Sequence, residues 1–400
     1  MYNINQHIIK ELYNKYGGSE RKKTVLLDDG NVYMLKLSDP IREKDNQLSY
    51  INNAYSEYLG CKIAESMGLP VQKTILGEYT YKSRDGQLHT RPACLCKDIE
   101  KETGLNLIEL DKLALSDYEN NSRRISFTEQ NYLISRIKNI DNEKLKEFYY
   151  NVFIFDALTG NTDRHNGNIA ILTNSDESSS YICPVFDCGS SLLPLVNDEK
   201  IDDLNLNNLY LSICSVITEN GKKINYTDYL SNVSNLDVDN ALKRIVPRIN
   251  LNTINNIIEQ TDDFTDNRKE IYKGLLHARY AHVIIPAVER ITGIKQIDYF
   301  YSKNISEHDL YKFYKNYIEQ INEFPAFEQH SIEINKHNVN TMRLGKKYAL
   351  ILDNNKRIDG LINIRSNNND IRKCIAQLSN YNPGLTKRMI DKSMEADYER

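Results

Sequence analysis

The chain has 400 residues, 40% of them hydrophobic and 26% charged, with a formal net charge of −4. That length suits two or three structural units, and the charge balance supplies no general electrostatic drive toward nucleic acid, so direct nucleic-acid binding is not expected. No run approaches the roughly 18 apolar residues of a membrane span.

The first residues, 1–12, lack the basic and apolar regions of a secretory signal. Seven cysteines without framework spacing point to reduced thiols and a cytoplasmic location. Residues 5–15 carry a weak helical period through Ile8, Ile9 and Leu12. Thr24–Leu27 and Val32–Leu37 flank Asp28-Asp29-Gly30-Asn31 and read as a β-hairpin. Residues 51–68 read as a helix through Tyr55, Leu59, Ile63 and Met67, closed by Gly68. Two further strands are expected at Val71–Tyr81 and Leu88–Cys96. Strand, strand, helix, strand, strand within one local stretch is an α+β pattern.

Beyond residue 100 the period becomes helical over 105–120, 128–140 and 143–160. The last of these is apolar on most sides, which places it in a core. It ends at Gly160 and runs into the polar cluster Asn161-Thr162-Asp163-Arg164-His165-Asn166-Gly167-Asn168. Ile169–Leu172 and Tyr181–Phe186 then form a hairpin that ends at Asp187-Cys188-Gly189. Residues 200–300 read as mainly helical, including 240–258 and 268–289, and Tyr348–Leu352 reads as a strand in a tail of mixed character.

The polar cluster carries the chemistry. Phosphoryl transfer to a hydroxyl needs a carboxylate at the acceptor, hard ligands for Mg²⁺ and positive charge on the phosphates. Asp163 is placed to face the acceptor. Asn168 offers an amide oxygen to the metal without adding negative charge, and the hairpin returns Asp187 beside Asn168 as the second ligand. Lys36, on an apolar strand, needs a partner; ATP phosphates and Glu57 on the following helix supply one. Gly17, Gly18 and Ser19 can curl backbone N–H groups around phosphate, with Lys22 adding charge. Cys94, Leu95 and Cys96, at the end of the fourth strand, suit an adenine slot. His165 is grouped with the nucleotide-binding residues, where it supports the loop through a hydrogen bond.

These residues resemble the HipA-like serine/threonine protein kinase family. The resemblance rests on Asn161–Asn168 and Phe186–Leu192, with the Gly17-Gly18-Ser19 turn, the Tyr33–Leu37 strand and Glu57 in matching order, and it covers roughly residues 15–290. It implies a bilobal protein-kinase-like fold: a small antiparallel-sheet N-lobe over residues 1–98, a mainly helical C-lobe over 99–300 and an extension of unassigned role over 301–400. It implies ATP and Mg²⁺ as cofactors, with Asp163 as catalytic base and Asn168 and Asp187 as metal ligands. Lys36 then holds the α- and β-phosphates, and Glu57 holds Lys36. Ser19 falls where several members autophosphorylate. Known family targets include aminoacyl-tRNA synthetases, which makes a translation component an expected class of protein substrate, and many members pair with an antitoxin. Larger members carry a further subdomain before the phosphate-binding turn; the turn at residue 17 predicts the compact form that lacks it. Phosphoinositide-type and small-molecule kinases share such loops, so a lipid or small acceptor is an alternative, as is an inactive protein-binding module.

Overall fold

A computed structural model describes residues 2–13, 22–37, 53–82, 86–114, 125–196, 213–261 and 264–292, together with four strands between 329 and 363. The chain divides into two units, Met1–Ala287 and Val288–Arg400.

The first unit opens with a six-stranded sheet of order β1-β5-β6-β4-β3-β2. Its strands are β1 (Tyr2–Asn3), β2 (Ile8–Leu12), β3 (Lys22–Leu27), β4 (Val32–Leu37), β5 (Thr74–Lys82) and β6 (Leu88–Lys97). The helix expected over 5–15 is instead a single turn, α1 (Ile4–His7), followed by β2. A short isolated helix is marginal, whereas β2 gains a ladder along β3, from Ile8 opposite Leu27 to Leu12 opposite Thr24. Ile4 then reaches the core beside Val25, Leu35, Tyr79 and Leu95. The expected hairpin forms between β3 and β4, with the Asp29 carboxylate accepting from the Asn31 amide at 2.8 Å.

Register places Lys36 in mid-sheet, opposite Lys22 on one side and Cys94 on the other. Alternation puts Lys36 on the face of Met34. Helix α2 (Asn53–Ser66) covers that face, packing Ala54 and Tyr58 on Met34, Cys94 and Cys96. α2 is buried on nearly every side, so it contributes polar groups as well as apolar ones to the interior.

Three elements lead into the second lobe: α3 (Ile99–Thr103), β7 (Asn106–Glu109) and α4 (Leu110–Ala114). The helix expected over 105–120 is thus replaced, in its described part, by a strand and a short helix. The cause is pairing of β7 with β8 (Ala170–Thr173), which puts Leu105 and Leu107 against Ile99, Ala170 and Leu172. α5 (Phe127–Arg136) begins at a Ser126/Glu129 capping box. α6 (Asn142–Thr159) starts at the Asp141 cap and stops at Gly160, whose φ of 71° is left-handed. Its aromatic residues meet Phe127, Tyr226 and Tyr229 in one cluster. β8 turns back into β9 (Ser180–Ile182), as expected.

The region 200–300 is less helical than its periodicity suggests. β10 (Cys214–Glu219) and β11 (Lys222–Asn225) form a hairpin around Asn220-Gly221, both with positive φ. That dipeptide is a strong hairpin signal that the helical reading overrode. Pro247 divides the expected 240–258 helix into Leu236–Ile245 and Leu251–Glu259. The expected 268–289 helix becomes Asp266–Arg279 and Ile285–Thr292, joined by a wide turn at Tyr280–Ile284. Pro286 has no N–H to continue the regular ladder. Among the described residues, no helix is long and apolar enough to cross a membrane.

In the second unit, β12 (Gln329–Ile334), β13 (His337–Leu344), β14 (Tyr348–Leu352) and β15 (Ile358–Asn363) form an antiparallel meander in chain order.

Candidate active site

Lys36 is 2% exposed, and its ammonium sits between two carboxylates. Nζ donates to Glu57 Oε2 at 2.9 Å and to Asp187 Oδ1 at 2.7 Å. One strand, one helix and a loop of the second lobe thus meet at a single charge. Burial raises the Asp187 pKa, but Lys36, then Lys22 and Arg164, outweigh it and hold the carboxyl well below the usual carboxylate range. Asp187 is therefore ionised at neutral pH.

The loop after α6 is fixed by its own backbone and by buried charge. Asp156, on the apolar face of α6, is fully enclosed; Arg164 Nε donates to its Oδ2 at 3.1 Å and Arg164 Nη2 to its Oδ1 at 3.3 Å. Asn161 Nδ2 adds a third contact at 3.0 Å. Burial pushes the Asp156 carboxyl up, against the pull of Arg164 and Asn161. Two-point contact with a guanidinium keeps the pair ionic. Arg164 Nη1 also donates to the Asn168 carbonyl at 3.2 Å and to the Phe186 carbonyl. One guanidinium group therefore draws the ends of the 168–187 excursion together, and places Asn168 and Asp187 on neighbouring strands of chain.

Asp163 is locked at the backbone and open at the side chain. Its N–H donates to Asn161 Oδ1 at 3.0 Å, and its carbonyl accepts from the His165 N–H at 2.9 Å and from Asn168 Nδ2 at 2.7 Å. The carboxylate is half exposed. His165 Nδ1 accepts from the Gly167 N–H at 3.0 Å, which leaves the proton on Nε2, 3.9 Å from Asp163 Oδ2. Because Asn168 spends its amide nitrogen on Asp163, its Oδ1 is the end available to a cation.

The residues fit a divalent metal that takes most of its ligands from elsewhere. Among the described residues no group of three or more His, Cys, Asp or Glu side chains could hold an ion alone. One ionised carboxylate and one amide oxygen suit Mg²⁺, which keeps waters and phosphate oxygens around it.

α2 approaches the Asp187 loop closely. A Cβ on Gly60 would stand 2.5 Å from Cys188 Cβ, and one on Gly189 would stand 3.3 Å from Glu57 Oε2. The left-handed residue of this loop is Asp187 itself, with φ of 56°, and Gly189 is needed for space. The Cys61 thiol is pushed up by a hydrogen bond to Cys188 and by burial, and Cys96 likewise by Cys94 and burial, so neither is a nucleophile.

Two groups of expected site residues stand apart. Gly17, Gly18 and Ser19 lie outside the described residues; Lys22 begins β3. Cys94, Leu95 and Cys96 are completely buried, the cysteines beneath α2 and Leu95 in the sheet core, with Cys96 Sγ 3.9 Å from Glu57 Oε1. The small cysteine side chains let α2 pack closely on the sheet. Asp156 was not among the expected site residues, and Asn161, part of the expected polar cluster, had no role of its own. A single carboxylate within the apolar run Val152–Leu158 is the signal that identifies Asp156, since a buried charge requires a partner.

No family model matches the chain. Serine/threonine-protein kinase CtkA of Helicobacter pylori is 34% identical over 278 residues, covering 67% of this chain and 82% of that protein. The chain belongs to the HipA-like serine/threonine protein kinase family. Among solved structures, this kinase matches that of a Helicobacter pylori proinflammatory kinase, CtkA, with a TM-score of 0.63 and 32% identity, over 71% of this chain and 96% of that one. A chain of the Shewanella oneidensis toxin–antitoxin complex of HipA, HipB and operator DNA gives a TM-score of 0.44 at 14% identity, over 72% and 69% of the two chains, and nothing rests on that looser likeness. The sheet and helical lobes of the first unit are those of the bilobal α+β kinase-like fold.

Proposed function

We propose that this kinase transfers the γ-phosphoryl group of ATP, with Mg²⁺, to a serine or threonine hydroxyl of a protein. The observation that carries this reading is the Lys36 ammonium held between Glu57 and Asp187. An ion pair bridging strand, helix and loop is poised to exchange one carboxylate for phosphate oxygens. Asp163 orients the acceptor hydroxyl and takes its proton. Glu57 keeps Lys36 aimed at the α- and β-phosphates. Asn168 Oδ1 and the Asp187 carboxylate would hold the cation, which when bound neutralises charge on the phosphates. Lys22, opposite Lys36 in the sheet, adds positive potential, and His165 braces the loop by accepting from the Gly167 N–H.

Membership of a protein-kinase family favours a protein acceptor over a lipid or small molecule. Autophosphorylation at Ser19, a translation component as substrate, a cognate antitoxin as partner and a lobe boundary near residue 98 are parts of the same proposal, supported by the family resemblance.

Mass spectrometry after incubation with ATP and Mg²⁺ tests it. Phosphate on Ser19 or on a co-purified protein, lost in Asp163→Ala, is the expected result. Asp163→Ala should cut turnover by at least about a hundredfold while nucleotide binding changes little. Asp187→Ala should weaken metal-nucleotide binding as well. Turnover in Asp163→Ala equal to wild type would end the reading.

A further inference from the structure

Asn53 lies in the first turn of α2, four residues before Glu57, and is 2% exposed. Neither its Oδ1 nor its Nδ2 has a hydrogen-bond partner, and the fully buried Ser56 Oγ next to it has none. Buried polar groups are nearly always paired, because an unpaired one forfeits its hydration for nothing. Three orphaned atoms on one helical turn therefore call for a physical account. Helical spacing puts Asn53, Ser56, Glu57, Gly60 and Cys61 on one side of α2, and that side meets the Asp187–Gly189 segment. The Asn53 Cβ stands 3.8 Å, and its carbonyl oxygen 3.7 Å, from where a Cβ on Gly189 would lie. Across this contact the Gly189 and Ser190 amides donate no hydrogen bond to any described residue. A primary amide without partners thus lies beside backbone N–H groups that have none among the described residues, at the loop whose first residue is paired with Lys36 in a left-handed backbone.

We propose that Asn53 is a positioning residue for Asp187: its side-chain amide engages the Gly189–Ser190 backbone when the Asp187 carboxylate turns from Lys36 to a nucleotide-bound cation, and holds that carboxylate in the cation-binding orientation. The inference rests on Asp187 being a cation ligand, as proposed above. Asn53 Oδ1 accepts from the Gly189 or Ser190 N–H, and Nδ2 donates to the Gly189 carbonyl. Glu57 cannot substitute, since its Oε2 is committed to Lys36. Residue 189 must be glycine, because a side chain there would fill the space in which the peptide turns. The orphaned state is then a property of one arrangement of the loop, relieved in the other.

The test uses the full-length chain, wild type against Asn53→Leu, which keeps volume without hydrogen bonding, and against Asn53→Ala. Melting temperature is measured with and without ATP and Mg²⁺, and phosphoryl transfer is titrated with Mg²⁺ at fixed ATP. The expected result separates the two readouts. Without ligand the Leu variant melts at or above the wild-type temperature, because an unpaired amide has been removed. With ATP and Mg²⁺ its stabilising shift shrinks, and the half-saturating Mg²⁺ concentration rises about tenfold in both variants, the worth of one or two hydrogen bonds. A purely structural asparagine gives the opposite pattern: both variants melt lower without ligand, while the ligand-induced shift and the Mg²⁺ dependence match wild type. That pattern overturns the inference. If wild type itself gains no stability from ATP and Mg²⁺, the reading of Asp187 fails first; if wild type gains it and both variants gain it equally, only the role of Asn53 fails.

Discussion

Arg164 does the most to shape the site without facing the acceptor. It neutralises Asp156 and ties the Asn168 and Phe186 carbonyls to one point. Removing one partner of such a pair leaves the other charged and buried, which costs roughly 3–5 kcal/mol. Arg164→Ala and Asp156→Asn are therefore expected to lower the unfolding free energy by about that amount, measured by urea denaturation, and to abolish phosphoryl transfer by separating the two proposed cation ligands. A loss of activity with unchanged stability would show that Arg164 acts directly on phosphate. The cluster Asp163–Asn168 was legible because its residue types at that spacing have few structural uses. Asp156 was hidden because its partner lies eight residues on, across a turn whose path the sequence does not display.

Helix α2 is the element on which the first lobe's chemistry turns. Gly60 lies in its interior, where alanine would favour the isolated helix by about 1 kcal/mol. The packing term is larger: a Cβ 2.5 Å from Cys188 Cβ forces the loop away, and overpacking costs about 1–3 kcal/mol. Gly60→Ala is thus expected to be net destabilising and to reduce turnover, since the Asp187 loop moves with Cys188; a variant at least as stable and active as wild type would contradict this. The contrast with α1 and β7 is instructive. α2 and α6 carry long apolar periods and clear stops, and the sequence places both to within two residues. The apolar residues of 5–15 and 105–120 fit either period. Vacant strand edges at β3 and β8 decided them, and an edge is created only once the sheet exists.

Acid stability is a property of the whole fold, and His277 should contribute to it. Partial burial, helped by Lys273, lowers the His277 pKa from 6.5 to about 4. The folded state therefore binds fewer protons than the unfolded chain between these values. His277 contributes stability that is complete above about pH 6.5 and is lost as pH falls toward 4, at up to 1.4 kcal/mol per pH unit, roughly. Melting temperature should fall across that window, and His277→Gln should flatten the slope; an unchanged slope would place the titration elsewhere.

Local chemistry in the chain was enough to specify an α+β first lobe, an apolar central helix, two loops rich in hard oxygen ligands and a strand lysine with a helical glutamate, because each follows from side-chain type and period within a few turns. Long-range contact settled the rest: that Lys36 meets Asp187 across 151 positions of chain, that Cys94–Cys96 are core and not surface, and that Asn53 faces Gly189 without a partner. A residue's neighbours in space depend on how sheets and helices stack, and that stacking is fixed by the summed burial of the whole chain and not by any segment of it.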